Sequence, residues 1–160
     1  MLSCRSPMIA LAMAVSLAGL GSITSACGPK TPAGEKGSEG KEHELIARSA
    51  DLYWEAVRWA DGERAGVFIE DSQRRVLFMD WLHEERERYR YEDATVIQVE
   101  MGPKWDKPVD GHRREATVWI RTRGYALPAQ ILETERIKQG WYRTDMGWFV
   151  EWELPEGPLR

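Results

Sequence analysis

The sequence predicts an α+β domain in which N-terminal helices pack on one face of a four-stranded antiparallel sheet. Three observations lead there. Apolar residues recur at helical spacing between residues 43 and 90; from Tyr91 onward the period changes to two. Everything before residue 43 is either an uncharged apolar run or a polar tract with no large apolar side chain. Helices followed by strands, without alternation, select α+β over a parallel α/β sheet.

The chain opens with one positive residue, Arg5, ahead of residues 8–27, MIALAMAVSLAGLGSITSAC, which carry no charge and end in small residues. This is the grammar of an export signal. The run approaches the roughly 20 apolar residues that a membrane-spanning helix needs. Its Ala, Gly and Ser content and the polar tract after it favour a cleaved signal over residues 1–26. Residues 23–27 (Ile-Thr-Ser-Ala-Cys) resemble the lipobox of bacterial lipoproteins, with Thr24 where an aliphatic residue is preferred and Ile23 displaced by one. The resemblance implies lipidation of Cys27, a membrane anchor and a mature chain that begins there. Ordinary cleavage after Ala26 is the alternative. Cys4 lies in the discarded part, so Cys27 has no intramolecular partner; an unpaired thiol in an exported chain calls for an explanation, and acylation supplies one. Gly28 lacks the Asp that, in such lipoproteins, commonly retains the protein at the inner membrane. The expected address is therefore the cell envelope, at a Gram-negative outer membrane facing the periplasm.

Residues 28–42, GPKTPAGEKGSEGKE, cannot offset their ordering entropy by burial. The expectation is a flexible linker over residues 27–42, with an r.m.s. span of roughly 20 Å and about 50 Å when extended. Its Lys and Glu cancel, so no polybasic stretch clamps onto anionic lipid.

The remaining 118 residues, 43–160, make one domain by length. Loss of Arg5 with the signal leaves 21 Lys plus Arg against 26 Asp plus Glu, a net charge of −5. An acidic domain without a basic stripe argues against nucleic-acid binding. The first helix carries two apolar rows, Leu45, Leu52, Ala56, Trp59 and Ile46, Tyr53, Val57, Ala60, and stops at Asp61-Gly62. A short second helix is expected over residues 63–69. Asp71 and Ser72 offer N-cap oxygens to a third, whose apolar face is Leu77, Phe78, Trp81 and Leu82 and whose end, HEERERYRY, is a solvated charged surface.

Residues 96–101 then alternate, with Ile97, Val99 and Met101 on one face, and Ala116, Val118 and Ile120 do the same after a Gly/Pro/Asp loop at residues 102–113. A third strand is expected over residues 129–143, with Pro128 at an edge or in the turn. Residues 145–147 turn into a fourth strand, residues 148–154, with Trp148, Val150, Trp152 and Leu154 on one face.

A Tyr/Trp-containing first helix (LYWEAVRWADGERA), a short second, a charged third and a closing hairpin QGWYRTDMGWFVEWEL together resemble the nuclear-transport-factor-2-like, or cystatin-like, superfamily over residues 43–155. That resemblance implies a curved sheet wrapped around the helices as a cone with a pocket at its open end. The superfamily contains ketosteroid isomerase and scytalone dehydratase beside many non-catalytic members, so fold does not choose the activity.

No catalytic constellation is legible. His43, His83 and His112 all avoid apolar strand positions, and His83 with Glu87 gives two ligands in HEERE, not HExxH, so no metal and no cofactor is expected. Glu133/Glu135 and Glu151/Glu153 each share one sheet face, and the latter pair lies opposite Trp148 and Trp152, in water. Eight tryptophans are the richest signal. Most serve core and sheet-face packing; the functional reading is an aromatic pocket or a sticky sheet face, with Tyr53, Trp81, Trp119, Trp148 and Trp152 as candidates, and Trp105, in GPKWDKPVDG, as an exposed contact for a partner. The preferred expectation is a membrane-tethered, non-catalytic domain that contacts an envelope protein or a small apolar ligand. The alternative is an isomerase or dehydratase with a buried acid in the cone, using Asp51 or Tyr53. A homodimer paired through its aromatic sheet face is a third arrangement.

Overall fold

A computed structural model describes residues 33–109 and 111–155. The expected export signal over residues 1–26, Cys27 and residues 28–32 lie outside that range. Three helices, α1 (Ala33–Arg58), α2 (Gly62–Gly66) and α3 (Ser72–Arg88), precede four strands, β1 (Tyr89–Val109), β2 (His112–Ala126), β3 (Leu132–Arg143) and β4 (Trp148–Val150). The strands form one antiparallel sheet in the order β1-β2-β3-β4, curled around the helices. The fold is α+β, as the change of period predicts. No helix among the described residues is long and apolar enough to cross a membrane.

The helix boundaries follow their caps. Asp71 accepts from the Arg74 N–H at 2.7 Å to open α3, and Asp61 accepts from the Arg64 N–H at 3.0 Å to open α2. Ala60, at φ 53°, turns the chain out of α1. Helix α1, however, begins ten residues before position 43, so the flexible-linker expectation is corrected for residues 33–42. What holds this extension is polar and invisible to apolar periodicity. Glu42 is buried and accepts from Arg114 at 2.7 Å and Arg143 at 2.6 Å, tying α1 to β2 and β3.

Of the two apolar rows on α1, Ile46, Tyr53 and Val57 are buried together with Ala50, Trp54 and Ala56. Leu45, Leu52 and Trp59 face outward, Trp59 being 68% exposed. On α3, Phe78 and Leu82 are buried and Leu77 is exposed. The core is an aromatic contact network. Tyr53 meets Trp54, Phe78 and Trp141 at 5.9 Å between ring centroids, and Phe78 meets Trp152 at 5.4 Å. Each such pair adds about 0.5–1.5 kcal/mol beyond the area it buries.

The expected 102–113 loop is a correction. β1 continues to Val109 and pairs with β2 through Lys104↔Arg114 and Val109↔His112, so Trp105 lies in a strand. Pro103 and Pro108 are tolerated because β1 is an edge strand and does not need every N–H for a neighbour. Register shifts at Tyr91/Asp93, Val96/Gln98, Met101/Lys104 and Lys104/Val109 break the ladder. Such bulges bend a strand and increase its twist, which curls the sheet. The shift after Val96 also turns Ile97 outward and leaves Val96, Val99 and Met101 against the core, correcting the simple alternation. Regular β4 pairing ends at Val150, although Trp152 remains buried and Leu154 is exposed.

Candidate functional site

A cavity of about 410 Å³ lies between α1, α3 and the inner face of the sheet, within the range of roughly 300–1,000 Å³ typical of small-molecule sites. Helix α1 contributes Tyr53, Trp54 and Val57 from successive positions of its inward face, and α3 contributes Trp81 and Glu85, four residues apart and therefore on one side of the helix. β1 supplies Tyr89 and Tyr91. β3 supplies Glu135, Ile137 and Gln139, alternate residues that share the inward face. Trp152 and Pro155 close the wall after β4.

Six aromatic rings and two carboxylates thus surround the space. Gln139 organises one end: its Oε1 accepts from the indole N–H of Trp54 at 3.2 Å and of Trp141 at 3.1 Å. Its amide also lies close enough to the Tyr53 hydroxyl to favour the ionised phenol slightly. Burial, with a smaller contribution from Tyr91, pushes the Tyr53 phenol far above its ordinary value despite that neighbour. Burial does the same to Tyr91, reinforced by Glu85, Tyr89 and Glu135. Both hydroxyls therefore stay protonated at neutral pH.

Tyr89 has room only because Gly124 stands across from it. A Cβ at Gly124 would collide with the Arg90 carbonyl oxygen and the Tyr89 ring. A glycine inside a central strand is otherwise unfavourable.

Glu85 is the unusual member. It is 5% exposed as a residue; among the described residues neither a hydrogen bond nor an ion pair reaches its carboxylate, whose oxygens keep some contact with solvent. Burial raises its pKa above the ordinary 4.5, and the charge of Arg88 opposes this only in part. A second hollow of about 280 Å³ adjoins it, sharing Val57, Glu85, Tyr89 and Tyr91 but lined also by Arg58, Arg86 and Arg90. Glu85 therefore stands between an aromatic, acidic space and a basic one.

Among the sequence candidates, Tyr53, Trp81 and Trp152 meet at the cavity; the other three do not. Trp119 lies on the outer face of the sheet, under the Arg136 guanidinium at 4.4 Å, and its indole N–H donates to Glu100 at 3.2 Å. Trp148 is buried, and among the described residues its indole nitrogen has no hydrogen-bond partner. Half-buried Trp105 borders a separate hollow of about 380 Å³ beside Lys104, Glu42, Arg114 and Arg143. Of the two residues assigned to an enzymatic alternative, Tyr53 faces the cavity. Asp51 sits on the exposed side of α1, its pKa raised by partial burial and lowered in part by a backbone hydrogen bond from Val96.

Glu85, Tyr89 and Tyr91 escaped the sequence reading because they fall in HEERERYRY, where alternating charge reads as solvated surface. The available signal was the i, i+4 spacing of Trp81 and Glu85, which puts an acid on the aromatic side of α3. Glu135 was visible only as half of an acid pair. Its spacing of two from Ile137 and four from Gln139, which puts all three on one strand face, carried the information. Among the described residues no three His, Cys, Asp or Glu side chains come together as a metal site.

No protein-family model matches the chain, and no curated protein sequence matches it. Among solved structures, the intermembrane-space region of the chloroplast protein ARC6 matches with a TM-score of 0.42 and 15% identity, over 68% of this chain and 91% of that one.

Proposed function

We propose that this chain is a lipid-anchored protein of the bacterial cell envelope whose aromatic cavity binds a small, largely apolar ligand without transforming it. The observation that carries the binding reading is the 410 Å³ space bounded by Tyr53, Trp54, Trp81, Tyr89, Tyr91 and Trp152. Large rigid rings offer contact area at low entropic cost, while a few polar groups orient the guest. The resemblance of residues 43–155 to nuclear-transport-factor-2-like domains supports the same use of the cone interior. The anchor rests on the lipobox-like sequence ending in Cys27. Residues 28–32 join that cysteine to α1, a connection of at most ~20 Å. An anchored domain would stay close to the bilayer.

Fluorescence titration with neutral and charged aromatic probes tests the cavity. Saturable binding that Trp81→Ala or Trp152→Ala weakens by roughly tenfold, and Trp119→Ala leaves alone, supports it; binding indifferent to all three substitutions removes it. Intact-mass analysis after expression in a Gram-negative host tests the anchor. A chain beginning at acylated Cys27, abolished by Cys27→Ser, is expected, and an unmodified soluble chain counts against it.

One observation favours a catalytic second reading: Glu85 is a buried carboxyl group, raised in pKa, facing a cavity with two protonated tyrosines. Such a carboxylate would take a proton from a carbon beside a carbonyl and return it elsewhere on the same molecule, a net isomerisation needing no cofactor. Turnover of a β,γ-unsaturated ketone that Glu85→Gln abolishes would favour it over simple binding.

A further inference from the structure

We infer that the cavity selects an organic cation, an amine or quaternary ammonium group carried on an apolar body, over a neutral or anionic molecule of the same shape. This rests on the binding reading above and names the class of ligand. The wall supplies electron-rich aromatic rings from both helices and from the sheet, together with the carboxylates of Glu85 and Glu135. Among the described residues no Lys or Arg lines it. An anion entering this space would meet two like charges, and a neutral guest would leave the buried Glu85 carboxylate unpaired as before.

A cation answers both features. Indole and phenol rings attract a positive charge through their quadrupoles, most strongly where water is excluded. Glu85, largely buried and with no ion pair among the described residues, gains an opposite charge at short range. The basic residues nearby do not supply that charge in full. Arg58, Arg86 and Arg90 line the adjoining hollow, while Arg88 acts on Glu85 only from the exposed end of α3 and pairs with Glu84 at 4.0 Å. A quaternary ammonium, which cannot donate a hydrogen bond, fits a largely aromatic wall better than a hydrated inorganic ion, which would have to surrender its water shell.

The test uses the full chain labelled with 5-fluorotryptophan, titrated with benzyltrimethylammonium and with neopentylbenzene, its neutral carbon isostere. Benzyltrimethylammonium is expected to shift the Trp81 and Trp152 fluorine signals and to bind at least about tenfold more tightly than the isostere, the scale of a desolvated cation–π contact. Glu85→Gln should lower the cation's affinity several-fold while leaving that of neopentylbenzene unchanged. Glu135→Gln, at an exposed position, should do the same and keeps the test open if the buried substitution unfolds the chain. Equal or tighter binding of neopentylbenzene at the same two signals overturns cation selectivity and leaves the cavity reading standing. If neither probe moves those signals, or the cation moves only Trp59 or Trp119, both readings fall.

Discussion

Replacing Glu42 by Gln should destabilise the domain by about 2–3 kcal/mol at neutral pH. The carboxylate accepts from Arg114 at 2.7 Å and from Arg143 at 2.6 Å, and Lys104 approaches at 3.5 Å. Hydrogen bonds between charged groups contribute about 1.5–3 kcal/mol each, and stripping the partner from a buried ion costs about 3–5 kcal/mol. The full sum is not expected. Arg143 and Lys104 are 33% and 58% exposed and can rehydrate, and Arg114 keeps the Gly102 carbonyl at 3.0 Å and Glu39 at 3.7 Å. The loss is thus mainly that of Arg114, which is 7% exposed. For a domain of this size it corresponds to a fall in Tm of about 6–15 °C by circular dichroism. The pH dependence provides the decisive check. Burial alone would raise the Glu42 pKa, but the Arg114 hydrogen bond and the charges of Arg143, Lys104 and Arg114 outweigh it and bring the value below 4.5. A depressed folded-state pKa contributes stability that is complete above the unfolded value and disappears as pH falls through the folded one. The gap between wild type and Glu42→Gln should therefore be widest above pH 4.5 and close in stronger acid. Equal Tm values at pH 7, or a deficit that persists in acid, would refute the charge clasp and with it the docking of the first turns of α1.

Glu85 behaves oppositely. Its raised pKa means that the folded state favours the protonated form, with a stability contribution complete below 4.5 and lost as pH rises through the folded value, so Glu85→Gln should unfold at higher temperature than wild type at pH 7 and at nearly the same temperature in acid. Thr122 is 1% exposed and among the described residues its hydroxyl has no partner, so Thr122→Val should stabilise by about 1 kcal/mol in urea unfolding. Gly124→Ala should cost about 1–3 kcal/mol and shift the Tyr89 ring resonances, because the added methyl meets the Arg90 carbonyl and that ring. Asp71→Ala should cost about 1 kcal/mol through loss of the α3 cap, readable as faster amide exchange at Arg74.

The architecture was legible where one periodicity governed a whole element. The inward row of α1, the α3 cap at Asp71 and the core face of β2 all follow from spacing and side-chain chemistry. Reading failed where two signals competed. Gly102, Pro103 and Pro108 look like chain breakers, yet on an edge strand they sit inside a long bulged hairpin. The polar stretch before residue 43 looks like linker, yet one glutamate clasped by two arginines seats its end against the sheet. The cavity was half legible: Tyr53, Trp81 and Trp152 announced themselves as aromatics, whereas Glu85, Tyr89 and Tyr91 were hidden in a charged run. Which tryptophans share a space is decided by sheet curl. Trp119, between inward Val118 and Ile120, necessarily points away from it.

The placement of Glu85 argues against a cavity left over from imperfect packing. A domain with this many large rings has ample means to fill 410 Å³, and an aliphatic residue at position 85, between Trp81 and Tyr89, would both close the space and remove a largely buried charge. The chain instead keeps a carboxylate there and a glycine at position 124 that gives the Tyr89 ring room. Each choice breaks a local rule of stability, and both concern the same wall. Departures that cluster at one place, in a fold otherwise consistent from pattern to core, support the proposal of a site held open for a guest. On that proposal, a guest that relieves the larger departure is one that brings a positive charge.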